Sequence, residues 1–146
     1  TGYDSTDFGM RCQVYDGGTD GSTASLVTAS EYVYSNRSVD SATNQVSNTS
    51  GGSEAFMLMG TGSIDNQLGD SICWEFTAHN IDQVSADNCY KMFSWYGATS
   101  DTNAYTHAGF SAGAWKSATN KVRGFKFYPS AGSFGAGGKL HLYGIT

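Results

Sequence analysis

The sequence predicts an all-β chain: an antiparallel two-sheet sandwich of jelly-roll type, built from eight or nine short strands. Composition is the first reason. Nineteen glycines, one proline, three Trp, nine Tyr and eight Phe fall as short aromatic and β-branched runs between turns, which is how many short strands read. Alternation is the second reason, since several segments place apolar residues at every other position, the period of a half-buried strand. The third is that no segment repeats apolar residues at the helical spacing of about 3.6. A chain of 146 residues suits one domain with a core of its own. That domain is expected over residues 9–146, behind a leader or arm at residues 1–8.

In chain order, Met10, Cys12 and Val14 alternate with Arg11, Gln13 and Tyr15, and a DGGTDG turn at 16–21 ends that strand. Residues 26–29 and 32–35 read as short strands, the second with Tyr32 and Tyr34 opposite Val33. Residues 36–53 are mostly Ser, Asn, Thr and Gly without periodicity, and read as a long loop. Residues 55–59, AFMLM, are the most continuously apolar run and read as a central strand buried on both faces. After a second polar loop at 60–70, Ile72, Trp74, Phe76 and Ala78 form one face of the clearest amphipathic strand, with Trp74 as core anchor. Cys73, Glu75 and Thr77 form its other face. Residues 80–88 read as a turn, or at most one helical turn. Over 90–96, Tyr90, Met92, Ser94 and Tyr96 alternate with Lys91, Phe93 and Trp95, so both faces carry aromatics. Residues 99–103 are polar, and 107–110 are weakly strand-like.

The chain closes on KVRGFKFYPSAGSFGAGGKLHLYGIT, residues 121–146. Val122, Phe125 and Phe127 face one core only if the strand shifts phase once, and Gly124 is the natural site for that bulge. Pro129 ends the run because it has no N–H for a ladder. A glycine-rich turn around Phe134 then leads to a final strand, with Leu140, Leu142 and Gly144 on one face and His141, Tyr143 and Ile145 on the other.

This ending resembles that of a recurring structural domain of tailed-bacteriophage virions. In that family the final hairpin carries an aromatic, glycine-rich turn and closes on Leu-Tyr-Gly-Ile, here Leu142, Tyr143, Gly144 and Ile145. Residues 10–16 resemble its early strand, 70–79 and 90–96 its central strands, and Ala114–Trp115 the pair that opens its final hairpin. The resemblance implies a capsid decoration protein or a head or tail fibre, located in the virion. It also implies a homotrimer that packs on itself and on other virion proteins. Tyr3 and Phe8 in the leader, with Phe134 and Tyr143 in the closing hairpin, are the expected assembly contacts.

Charge and cysteine usage bear on partners. Charged residues are 14% of the chain and the net charge is −5. The densest basic group, Lys116, Lys121, Arg123 and Lys126, reads as a solvated strand face. An acidic total gives no counterion-release drive, so nucleic acid is not an expected partner. No run approaches the roughly 20 apolar residues that span a bilayer, and no signal peptide is evident, so membrane insertion is not expected. Because the chain begins at Thr1 rather than Met, it is expected to be a processed product or a piece of a longer chain. Cys12, Cys73 and Cys89 are odd in number, which rules out a closed disulfide framework and leaves one bridge open. Cys12 and Cys73 sit in strand-like runs and read as small buried hydrophobes.

The chemistry-bearing groups are sparse. Glu31, Glu54 and Glu75 are the only glutamates, and no two share a strand face at the spacing of paired catalytic carboxylates. Asp16 and Asp20 suggest half of a calcium loop, but the acidic closing residue is absent and a tight turn explains them. No nucleophile motif appears, and the glycines at 135–138 lead into a strand rather than a phosphate-binding helix. No cofactor or metal is therefore expected. The expected function is non-enzymatic and structural. The alternative, from another class, is a carbohydrate-binding module for host-surface attachment. Its candidate stacking residues are Tyr32, Tyr34, Trp95, Tyr96, Tyr105 and Trp115, if they share one concave face.

Overall fold

Two antiparallel sheets pack face to face, and every strand pairing is antiparallel. The structure, a computed structural model, describes residues 9–41, 45–59, 71–84, 90–100, 106–117, 119–130, 139–141 and 143. Among them are nine strands, numbered in chain order. The smaller sheet is built on β1 (Met10–Asp16), which β9 (Val122–Pro129) follows along its whole length. The two-residue strands β2 (Ser25–Leu26) and β5 (Met57–Leu58) pair with opposite ends of β1. The larger sheet runs in the order β4 (Val46–Glu54), β3 (Tyr32–Asp40), β8 (Thr106–Trp115), β7 (Lys91–Ser100), β6 (Ser71–His79). The all-β, two-sheet expectation is met.

The core lies between the sheets. Met10, Cys12 and Val14 point in from β1, as their alternation requires, and Tyr32, Phe93, Trp95 and Trp115 meet them from the larger sheet. Phe76 of β6 is the aromatic hub. Its ring centroid lies 5.7 Å from Phe93, 5.1 Å from Phe125 and 5.2 Å from Phe127, so β9 is fastened to β6 and β7 through edge-to-face contacts. Polar ties complement the packing. The Tyr32 hydroxyl accepts from the Val14 N–H at 2.9 Å and donates to the Val27 carbonyl at 3.2 Å. The buried Gln13 amide donates to the carbonyls of Val27 and Ala55 at 3.2 and 2.8 Å. The Asn36 amide donates to the Leu58 carbonyl at 2.7 Å.

Several expectations are corrected. Residues 36–53 are not a loop: most of them form the ends of β3 and β4, paired from Asn36↔Thr49 to Val39↔Val46. Here Asn36 and Ser38 point inward and are buried while Arg37 and Val39 point outward, so hydrophobic alternation is absent although backbone alternation is present. Residues 55–59 are not a two-face central strand. Met57 and Met59 are buried with Leu58 half-buried between them, and only Met57–Leu58 pairs, at the margin of β1. The run is apolar because Met57 and Met59 fill the core and Phe56 carries the Arg11 guanidinium 4.1 Å above its ring.

The closing hairpin is also revised. β9 pairs with β1 rather than with a final strand, and Lys139, Leu140, His141 and Tyr143 are not in strands. Leu140 and Tyr143 are 80% and 81% exposed; Leu142, Gly144 and Ile145 lie outside the described residues, as do Phe134 and the leader with Tyr3 and Phe8. The phase shift in β9 is present, but Arg123 is its extra residue: Tyr15 pairs with Gly124 and Asp16 with Val122. Cys73 is exposed rather than buried, because it falls on the outer face of β6 opposite Trp74. Trp74 itself is only partly buried, since β6 is an edge strand, and the fully buried tryptophans are Trp95 and Trp115. Between 90 and 96, Lys91, Phe93 and Trp95 take the core face, leaving Tyr90, Met92 and Tyr96 exposed.

Candidate functional site

The larger sheet has one face on the core and one face open, and the open face is the candidate site. Directly paired residues of adjacent antiparallel strands share a face, so the register defines rows that cross the sheet. One row reads Asn48, Arg37, Phe110, Tyr96, Glu75 from β4 to β6. The next reads Val46, Val39, Ala108, Ala98, Cys73. On the other side lie Ser35, Ala112, Ser94 and Thr77, and then Val33, Ala114, Met92 and His79.

Phe110 is 64% exposed, Met92 56% and Tyr96 50%. Ala98 and Ala108 floor a shallow depression between Phe110, Tyr96, Arg37 and Val39. Single exposed apolar side chains are ordinary; here Phe110 and Tyr96 stand side by side on the open face, with Val39 and Val46 in the adjoining row. At the rim, the Tyr96 hydroxyl donates to Glu75 Oε2, and that bond to the carboxylate raises the Tyr96 pKa above the usual phenol value. Arg37, on the far side of Phe110 with Asn48 of β4 beyond it, has no ion-pair partner among the described residues. Three strand spacings, roughly 14 Å, separate it from Glu75.

The structure divides the six candidate stacking residues. Tyr32, Trp95 and Trp115 are fully buried between the sheets, with the Trp115 indole donating to Glu31 Oε2 at 2.8 Å. Tyr34 is half-buried at the margin of the core, Tyr96 is on the open face, and Tyr105 lies outside the described residues. No common aromatic platform joins the described five. Sequence reasoning missed Phe110, Met92 and Arg37. The signal for the first two was the alternation in residues 90–96 and 107–110, which cannot say which of two aromatic faces is the wet one. Arg37 was hidden in a segment that read as loop.

Other sequence candidates resolve locally. Asp16 Oδ1 accepts from the Gly18 N–H at 2.7 Å and Asp20 Oδ1 from the Ser22 N–H at 2.9 Å. Gly18 and Gly21 take φ of 67° and 77°, so these aspartates build Asx-type turns. The Ser22 backbone bond also lowers the Asp20 pKa. Three of the four basic side chains in residues 116–126 have their own neighbours: Lys121 pairs with Asp82 at 3.1 Å, Lys116 donates to the Gly52 carbonyl at 2.6 Å, and Lys126 sits 4.8 Å from the Tyr128 ring. Among the described residues, no group of three or more His, Cys, Asp or Glu is arranged to hold a metal. Comparison with protein-family models, with curated proteins and with solved structures returns no match.

Proposed function

We propose that this chain is a non-enzymatic structural module that works by packing, and that the open face of the larger sheet is its assembly surface. The observation that carries this reading is the uncovered apolar patch centred on Phe110, Tyr96 and Met92, floored by alanines that let a neighbouring surface approach closely. A flat face of this kind suits protein packing better than capture of a small molecule, which favours a concave, largely enclosed site. The resemblance of residues 142–145 to the close of a tailed-phage virion domain suggests the setting: a decoration or fibre protein of the virion, self-associating and seated on other virion proteins. A jelly-roll assignment draws support from the strand order of the larger sheet: β4 at one edge is followed in the chain by β5 of the other sheet and then by β6 at the opposite edge, so that β8 comes to lie beside β3.

The second reading, a carbohydrate-binding module, has one observation in its favour. Phe110 and Tyr96 stand side by side, flanked by Arg37 and Glu75, an aromatic pair with polar flanks of the kind that stacks on a sugar ring. Light scattering on the wild type and on Phe110→Asp, with a glycan titration of each, separates the two. The packing reading expects a wild type that self-associates, a Phe110→Asp variant that is monomeric, and no glycan binding by either. A monomeric wild type that binds a glycan and loses it in Phe110→Asp establishes the second reading instead.

A further inference from the structure

We infer that the occupant of the open sheet face is a second copy of this chain, related by a two-fold axis that runs along the strands between β7 and β8. The inference rests on the packing reading above and names its partner. Its basis is the order of residues in the central row: Arg37 on β3, Phe110 on β8, Tyr96 on β7, Glu75 on β6. Across these four strands the row has a cation at one end, an anion at the other and two aromatics between, with Asn48 of β4 lying beyond Arg37. A two-fold axis along the strands reverses the row, so Arg37 of one copy lies over Glu75 of the other and Phe110 over Tyr96. The contact is isologous, and each charged pair and each aromatic pair occurs twice.

The neighbouring rows obey the same operation. Ala108 falls over Ala98, and Val39 over Cys73; Ala112 falls over Ser94 and Ser35 over Thr77. No charge meets a like charge, and small residues face small residues at the centre. The geometry is that of aligned sheet-on-sheet packing, in which facing sheets lie about 10 Å apart. Within one copy Arg37 and Glu75 are too far apart to pair, and Arg37 has no carboxylate partner among the described residues. Glu75 already accepts from the Tyr96 hydroxyl, but a carboxylate keeps acceptor capacity for a guanidinium as well. Area is adequate too: the axis overlays four strands (β3, β8, β7 and β6) and leaves β4 overhanging, and four strands at about 4.8 Å by four rows at about 6.8 Å give roughly 500 Å² per copy. Doubled, that reaches the total of about 1,000 Å² a specific interface needs.

The test is a charge-reversal cycle read by sedimentation velocity across a concentration series. The wild type is expected to be dimeric. Arg37→Glu and Glu75→Arg each place two like-charged pairs in the contact, and each should weaken dimerisation by roughly tenfold or more. The double variant Arg37→Glu/Glu75→Arg restores opposite pairs and should return to near the wild-type constant, a rescue that a local structural role for either residue does not produce. As an independent readout, Arg37→Lys should form a zero-length carbodiimide cross-link to Glu75 that appears at dimer mass. A wild type that is monomeric throughout, or trimeric, overturns the two-fold arrangement. So does a cycle in which the double variant stays as weak as the singles, or in which the reversals change nothing. If Phe110→Asp is monomeric while the reversals have no effect, the packing face stands and only the two-fold register falls. If Phe110→Asp still associates like the wild type, both fall together.

Discussion

At the scale of single residues, burial separates two tryptophans that look alike in sequence. Trp95 is enclosed between the sheets, whereas Trp74 packs on the core from the edge strand β6. Trp95→Ala should cost about 3–5 kcal/mol, and Trp74→Ala roughly half of that, both read from urea denaturation. Burial also sets a pH dependence. It pushes the Tyr32 phenol and the Cys12 thiol well above their ordinary values of 10.0 and 9.0. Both groups keep their protons in the fold while the unfolded chain releases them, so stability holds below those ordinary values and falls as pH rises beyond them. Each group adds a slope of up to about 1.4 kcal/mol per pH unit. Tyr32→Phe removes the acceptor of the Val14 N–H and should cost about 1–2 kcal/mol near neutral pH. Because it also removes the phenol's alkaline slope, its deficit relative to wild type should narrow above pH 10.0. A deficit that is constant or widens there contradicts the assignment. The two thiols offer a simpler check. Peptide mapping after alkylation of the native protein should find Cys73 modified and Cys12 protected, and Cys12 should react only on unfolding.

At the scale of elements, close approach between strands decides which glycines matter. A Cβ added at Gly97 would lie 2.1 Å from the Cys73 carbonyl oxygen and 2.9 Å from the Trp74 Cα, both backbone atoms of β6. At Gly52 it would meet nothing within 4 Å. Gly97→Ala should therefore cost about 3 kcal/mol or separate β6 from β7, while Gly52→Ala stays within about 0.5 kcal/mol; thermal melts compare them. The contrast also shows what the sequence reveals. β1, β6 and β9 were legible because each carries apolar residues at every other position, and β9 even announced its phase shift. β4 and the far half of β3 were not, since their inward residues are Asn36, Ser38 and Thr49, and a polar core lining has no hydrophobic period. Near the end of the chain, Lys139, Leu140, His141 and Tyr143 are not in strands although they alternate correctly, since alternation reports only that a strand is compatible. For the site, the sequence supplied Tyr96 but not its row, because cross-strand register is a long-range property no local pattern encodes.

At the scale of the whole molecule, the two faces of the larger sheet set the division of labour. The inner face stabilises the fold through Trp95, Phe93, Tyr32 and Trp115. The outer face is left with Phe110, Met92 and Tyr96, which are exposed and contribute little to the core; under the packing proposal they are the area a neighbour covers. The account therefore expects Phe110→Asp to leave the melting temperature of the isolated protomer nearly unchanged while abolishing association. A core residue behaves in the opposite way. Hydroxyl-radical footprinting across a dilution series tests this claim most directly, because Met92, Phe110 and Tyr96 are all reactive side chains when wet. The account predicts that labelling of these three falls as concentration rises and the dimer forms, while Ile81, exposed in the turn after β6 where its carbonyl accepts from the Val122 N–H of β9, keeps its labelling. Equal labelling of Met92, Phe110 and Tyr96 at all concentrations, in a sample whose mass shows association, would contradict it.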